Sequence, residues 1–282
     1  MTARLGVRLV MLFSVLLTAI LYFGNFTQKK QKNADAPHAT LPEGISFEEY
    51  ADMQMKLIED ASVKDEILKV NQQYANATVD SVKSQQAHLL AELWKSTGNN
   101  NLEAYYHYLS ASADKDAAAL AASGEKLISL YRNSQDTLIK NNLITFALRS
   151  LEAASTLNPD NLELKVKLGS AYVEGSPEPM KGITLLREVV EKDPENISAL
   201  IMLGRFAILS GQYDKAKERL DQVLVLDPNN AEAIYFMAIT QEGLGNIEKA
   251  IELLEACKKI VANPDFDAEI NGYIEQLRNK IK

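Results

Sequence analysis

The sequence predicts an all-α fold: an α-solenoid of stacked antiparallel helix hairpins with a C-terminal capping helix, preceded by one transmembrane helix. Three observations lead there. Asx-Pro pairs recur at Asn158-Pro159, Asp193-Pro194, Asp227-Pro228 and Asn263-Pro264, spaced 35, 34 and 36 residues apart, and a fixed period of that size marks stacked repeats. Between the pairs, small and large apolar residues keep one register. No stretch alternates as a convincing strand, whereas apolar residues recur at helical spacing through most of the chain.

Taken in order, residues 1–27 read as an N-terminal signal-anchor helix. Leu9 to Phe26 hold no charge, which is just long enough to cross a hydrocarbon core, and Tyr22 and Phe23 suit the membrane–water boundary. Arg4 and Arg8 could equally open a cleavable signal peptide. Cleavage, however, needs small residues just after the apolar run, where Leu21, Tyr22 and Phe23 stand. An uncleaved anchor is therefore expected. Lys29, Lys30 and Lys32 nearly balance Arg4 and Arg8 across the span, and a short N-terminal anchor usually leaves the body on the non-cytoplasmic (periplasmic) side. Residues 28–45 are polar, contain Pro37 and Pro42, and read as a linker.

Residues 46–157 form a helical region with degenerate hairpins. Phe47 to Ala61 and Val63 to Ala75 are helical by period but fit no repeat. His88 to Trp94 lead to Gly98 and then Ala104, Tyr108 and Ala111; Leu127 to Tyr131 lead to Ala147, Leu151 and Ala154, with extra residues that lengthen both helices.

Residues 158–264 hold three clear units. Leu203-Gly204 is followed by Gly211, Ala216, Leu220, Val223 and Pro228, and Met237-Ala238 by Gly245, Ala250, Leu254, Cys257 and Pro264. The preceding unit has Leu168-Gly169, Tyr172, Gly182, Leu186, Val189 and Pro194. Small residues at Gly204, Ala238 or Gly169 let one helix press on the next. Gly211 and Gly245 permit the positive φ of a tight turn, and the large residues fill the space between hairpins. A lone hairpin cannot bury its apolar face, so its neighbours must cover it. In residues 265–282, Ile270, Ile274, Leu277 and Ile281 recur at helical spacing and form the expected cap.

Composition narrows the function. The net charge is −8, yet residues 1–32 carry five basic residues and no acidic one, leaving 25 basic against 38 acidic residues in the body. Such a body repels phosphate backbones, so nucleic acid is excluded as a partner. Cys257 is the single cysteine and allows no intramolecular disulfide; it occupies a small apolar position. His38, His88 and His107 share no ligand spacing with one another or with Cys257, so no metal is expected. No phosphate-cradling loop, nucleophile elbow or paired carboxylates at a strand end are present, so neither a cofactor nor a catalytic site is expected, and the chain is not read as an enzyme.

The repeat register resembles that of the tetratricopeptide repeat (TPR). The resemblance implies antiparallel helix pairs whose first helices line a concave groove. It places Val166 and Ser170 of one unit, Ile201, Met202 and Arg205 of the next, and Tyr235, Phe236 and Ile239 of the third on that groove. Several TPR proteins grip a partner's C-terminal carboxylate with a Lys, Asn and Arg clamp at such places. Here Val166, Ser170, Ser198 and Met202 stand there, so the clamp is not expected. What remains is an apolar, aromatic strip with Arg205 at its centre. It is either an open docking site for a peptide or helix or a surface covered by the protein's own helices. The outline as a whole is similar to anchored bacterial envelope factors, including TPR subunits of cytochrome c maturation. The expected function is a membrane-anchored adaptor that binds partner proteins or peptides; the alternative is a self-associating scaffold, a homodimer through the strip.

Overall fold

The computed structural model describes residues 45–281. The expected anchor (1–27) and all but the last residue of the expected linker (28–45) lie outside the described residues. Among those described, every regular element is a helix, and no helix is long and apolar enough to cross a membrane.

Thirteen helices follow one another among these residues: α1 (Phe47–Met55), α2 (Ala61–Asn76), α3 (Asp80–Ser96), α4 (Asn100–Asp114), α5 (Ala117–Asn133), α6 (Thr137–Leu157), α7 (Leu162–Gly175), α8 (Pro179–Lys192), α9 (Ile197–Leu209), α10 (Tyr213–Leu226), α11 (Ala231–Gly243), α12 (Ile247–Val261) and α13 (Pro264–Lys280). They divide into two compact units, residues 38–185 and residues 186–282, with the boundary inside α8.

In the unit 38–185, α3 pairs with α4 and α5 with α6, and α2 packs on α3. The helices of the second hairpin are long, 17 and 21 residues, where the extra sequence falls. The continuous helix that the period suggests from Phe47 to Ala61 is interrupted. Ser46 opens α1 with a reciprocal capping box to Glu49, α1 ends at Met55, and Asp60 caps a new helix through the amides of Ser62 and Val63. Each cap supplies acceptors that the first turn of a helix lacks, so two start signals so close together make two helices. Helix α1 docks on α4 and α6. Phe47 stacks on Tyr105 with ring centroids 4.3 Å apart and meets Phe146 edge-on at 5.3 Å, while Tyr105 donates its hydroxyl to Glu48 at 2.7 Å.

In the unit 186–282, α9 pairs with α10 and α11 with α12, α10 packs on α11, and α13 packs on α12. The small and large residues fall where hairpins need them: Ala216, Leu220, Val223, Ala250, Leu254 and Cys257 are fully buried. Each large apolar side chain so buried contributes roughly 1.5–3 kcal/mol relative to an exposed one. Gly98, Gly211 and Gly245 all take positive φ at the turns within hairpins, the conformation that L side chains resist.

The Asx-Pro pairs do two different jobs. Asp193 and Asp227 each accept from the side-chain amide of the asparagine three residues on, Asn196 and Asn230. Those asparagines then cap α9 and α11. Asn263, in contrast, is itself the cap of α13, accepting from the amides of Asp265 and Phe266, and Pro264 takes the first helical position, where its missing N–H costs nothing. The fourth pair thus starts a helix instead of punctuating a turn. On α13, Phe266, Ile270, Ile274 and Leu277 are buried, whereas Ile281 lies beyond the helix and is exposed.

Candidate protein-binding groove

The eight expected groove residues fall on three helices. Val166 and Ser170 lie on α7, in the unit 38–185; Ile201, Met202 and Arg205 lie on α9, and Tyr235, Phe236 and Ile239 on α11, in the unit 186–282. Ile201, Tyr235, Phe236 and Ile239 do come together, but inside one hydrophobic cluster. Tyr235 and Phe236 are 1% exposed, and Met202 is buried too. Their rings meet edge-on at 5.6 Å, and the Arg205 guanidinium lies 5.9 Å from the Phe236 ring centre. Burial pushes the Tyr235 hydroxyl pKa up, with the charges of Cys257, Glu269 and Glu242 adding to the effect. On α7, Val166 is buried and Ser170 donates its hydroxyl to the Val166 carbonyl at 2.8 Å. The apolar side chains of the strip are buried in this structure.

Open space lies elsewhere, in the unit 38–185. One cleft of about 330 Å³ is lined by His88 of α3, by Glu103, His107 and Asp114 of α4, and by Ala122 and Lys126 of α5. A second, of about 320 Å³, lies between α5 and α7 and is lined by Ala118, Ala121, Ala122, Glu125, Glu163 and Lys167. The first is walled mainly by α4 and α5 and the second by α5 and α7, and they adjoin at Ala122. Their floor is made of small side chains: Ala104, Ala111 and Ala119 in the first, and Ala117, Ala118 and Ala121 in the second. Alanine fits here for two reasons. It is the strongest helix former, and without atoms beyond Cβ it leaves the groove empty.

Charges ring this floor. Glu103, almost wholly buried, pairs with Lys126 at 3.8 Å. Lys167 sits between Glu125 at 2.5 Å and Glu163 at 2.6 Å. Burial alone would lower the Lys167 pKa, but hydrogen bonds to those two carboxylates overcome it and raise the value. The rings of His88 and His107 are 5.7 Å apart, and Glu92 approaches His107 at 3.9 Å. Burial lowers the His107 pKa, and His88 pushes the same way against Glu103 and Glu92. Ser84 donates to Asp114 at 2.5 Å. Among the described residues, no group of three His, Cys, Asp or Glu is placed to hold a metal ion. Neither cleft was anticipated from the sequence. The run Ala117 to Ala122 gives the one available signal, and it looks the same as ordinary helix propensity.

Residues 181–225 and 207–268 each match the family described as Tetratricopeptide repeat. Residues 181–268 are tetratricopeptide repeats. The matched TPR region takes in α9 to α12, the two hairpins whose small and large residues keep register most closely. Among curated TPR relatives, interferon-induced protein with tetratricopeptide repeats 2 of Mus musculus is 33% identical over 96 residues, which is 33% of this chain and 20% of that protein. TPR repeat-containing protein YpiA of Bacillus subtilis (strain 168) is 21% identical over 182 residues, 59% of this chain and 42% of that one. The chain thus spans less than half the length of either relative. Among solved TPR folds, the thermophilic TPR protein TTC0263 of Thermus thermophilus superposes with a TM-score of 0.50 at 17% identity, over 67% of this chain and 97% of that one. PilW, a type IV pilus biogenesis factor, gives 0.50 at 17% identity, over 70% and 89%. At such identities the likeness is one of fold.

Proposed function

We propose that this TPR protein is an interaction scaffold that holds segments of partner proteins, and that the paired clefts between α4, α5 and α7 are where it holds them. The observation that carries this reading is the junction at Ala122: two open clefts, one walled by α4 and α5 and the other by α5 and α7, both lined by small side chains, adjoin there. A peptide main chain can lie close to such a floor, and the charged rim supplies partners for its polar groups. The chemistry on offer is recognition. Carboxylates, two lysines and two histidines surround the clefts, and each lysine is already held by a carboxylate.

The same reading includes a membrane address. The uncharged run from Leu9 to Phe26 supports anchoring of residues 1–27, with the helical body on the non-cytoplasmic side. In this reading the scaffold organises an envelope assembly by keeping a bound segment near the membrane.

A photocrosslinking amino acid in place of the long side chain of Lys126, with a second at the exposed Val225 of α10 as control, tests the site in intact cells. One discrete adduct at position 126, absent at 225 and removed by Ala122→Trp beside it, supports the reading. Indistinguishable capture at both positions refutes it. An adduct with a second copy of this chain would establish the self-associating scaffold instead.

A further inference from the structure

Resting on the groove reading above, we propose that the occupant is basic: an extended segment with lysine or arginine side chains separated by small residues. The charge of the clefts points to this. Four carboxylates line them, those of Glu103, Asp114, Glu125 and Glu163, against the two ammonium groups of Lys126 and Lys167. Both lysines are already committed to carboxylates, and Lys167 to two at once. The clefts therefore carry a surplus of negative charge between low-dielectric helix walls, a setting that concentrates cations. The wider surface reinforces it, since residues 33–282 hold 38 acidic and 25 basic residues.

Shape selects among cations. The floor of alanines leaves depth for a long side chain, and Glu103 places its carboxylate, almost wholly buried, beside that floor. Lysine and arginine can lay their methylene stems along the alanine methyl groups and bring their charge to the carboxylate. A short acidic side chain would meet repulsion at every one of the four positions. Small residues between the basic ones let the peptide main chain approach α5. An arginine would add a planar fork suited to a carboxylate.

The test uses the full chain in an uncharged detergent and two fluorescein-labelled probes. One is a Gly-Lys-Ala repeat of three copies, the other a Gly-Glu-Ala repeat of equal length, and both are followed by fluorescence anisotropy. The lysine probe is expected to bind, the glutamate probe not, and the affinity should fall steeply as salt rises. Glu103→Gln is expected to weaken lysine-probe binding about tenfold, the scale of a charge-assisted hydrogen bond. The exposed Glu125→Gln serves as a second variant that does not depend on refolding of a buried site. Ala122→Trp should abolish binding by filling the junction. Lysine-probe binding that is unchanged in Ala122→Trp and in both glutamine variants overturns the proposal, because it marks general attraction to an acidic surface. Failure of the lysine probe to bind, while position 126 still crosslinks its cellular partner, overturns the basic occupant but leaves the scaffold reading standing.

Discussion

Gly182 of α8 lies so close to Gly169 of α7 that a Cβ at residue 182 would come within 2.3 Å of the Gly169 carbonyl oxygen. The obstacle is backbone, which cannot swing aside. At Gly204 the same atom would meet Leu220 at 3.2 Å, a side chain that can yield.

Those two distances order the glycine variants. Gly182→Ala is expected to cost more than Gly204→Ala, which should be mild. Gly204→Leu, which drives a whole side chain into Leu220, should cost on the order of 1–3 kcal/mol through overpacking. Urea unfolding of the three variants checks the ranking, and equal midpoints for Gly182→Ala and Gly204→Ala would contradict it.

Burial of Tyr235 and Phe236 turns an open-groove expectation into a stability one. Each is 1% exposed, so Phe236→Ala should cost about 3–5 kcal/mol, and Tyr235→Ala a comparable amount. Thermal melts should show both variants markedly destabilised. A melting temperature close to the parent's, combined with lost partner binding, would instead restore these rings to an exposed docking role.

The cap is held by a polar clasp as well as by its apolar face. Tyr273 donates its hydroxyl to Glu242 of α11, and Lys280 approaches the other oxygen of the same carboxylate at 2.5 Å. Hydrogen bonds to a charged group contribute roughly 1.5–3 kcal/mol. Tyr273→Phe is therefore expected to loosen α13, and amide exchange in residues 264–280 should accelerate before that in α9 and α10. Uniform acceleration across the unit 186–282 would argue against a local clasp.

Burial raises the Cys257 thiol to about 12, so at pH 8 the reactive thiolate is scarce. The native chain should resist a thiol-specific disulfide reagent at that pH and become fully labelled in denaturant. Rapid labelling of the folded chain would show that α12 opens readily.

Much of this architecture can be read from residue spacing, because the repeat ties helix contacts to fixed positions. Leu220, Leu254 and Leu186 had to fill inter-hairpin space, and all three are fully buried. The site was less legible. A solenoid position count puts Tyr235 and Phe236 on a groove but does not say whether the groove is filled. The clue lay in the composition of α11 itself: from Ala233 to Gln241 every residue is buried, and a helix apolar all round belongs inside. The clefts at Ala122 depend on how far apart α4, α5 and α7 stand, which no single segment encodes.

The cap at Asn263-Pro264 also limits how the array can grow. A unit copied in after Leu226 would inherit a loop of the Asp227 kind, whose side chain steadies the asparagine that begins the next helix, so lengthening there meets a ready-made junction. A unit appended after α12 meets Ala262 in left-handed conformation and a proline that commits the chain to α13, whose buried side chains already cover α12. Gene duplication, or an engineer adding repeats, has an entrance in the interior of this protein and a closed door at its end.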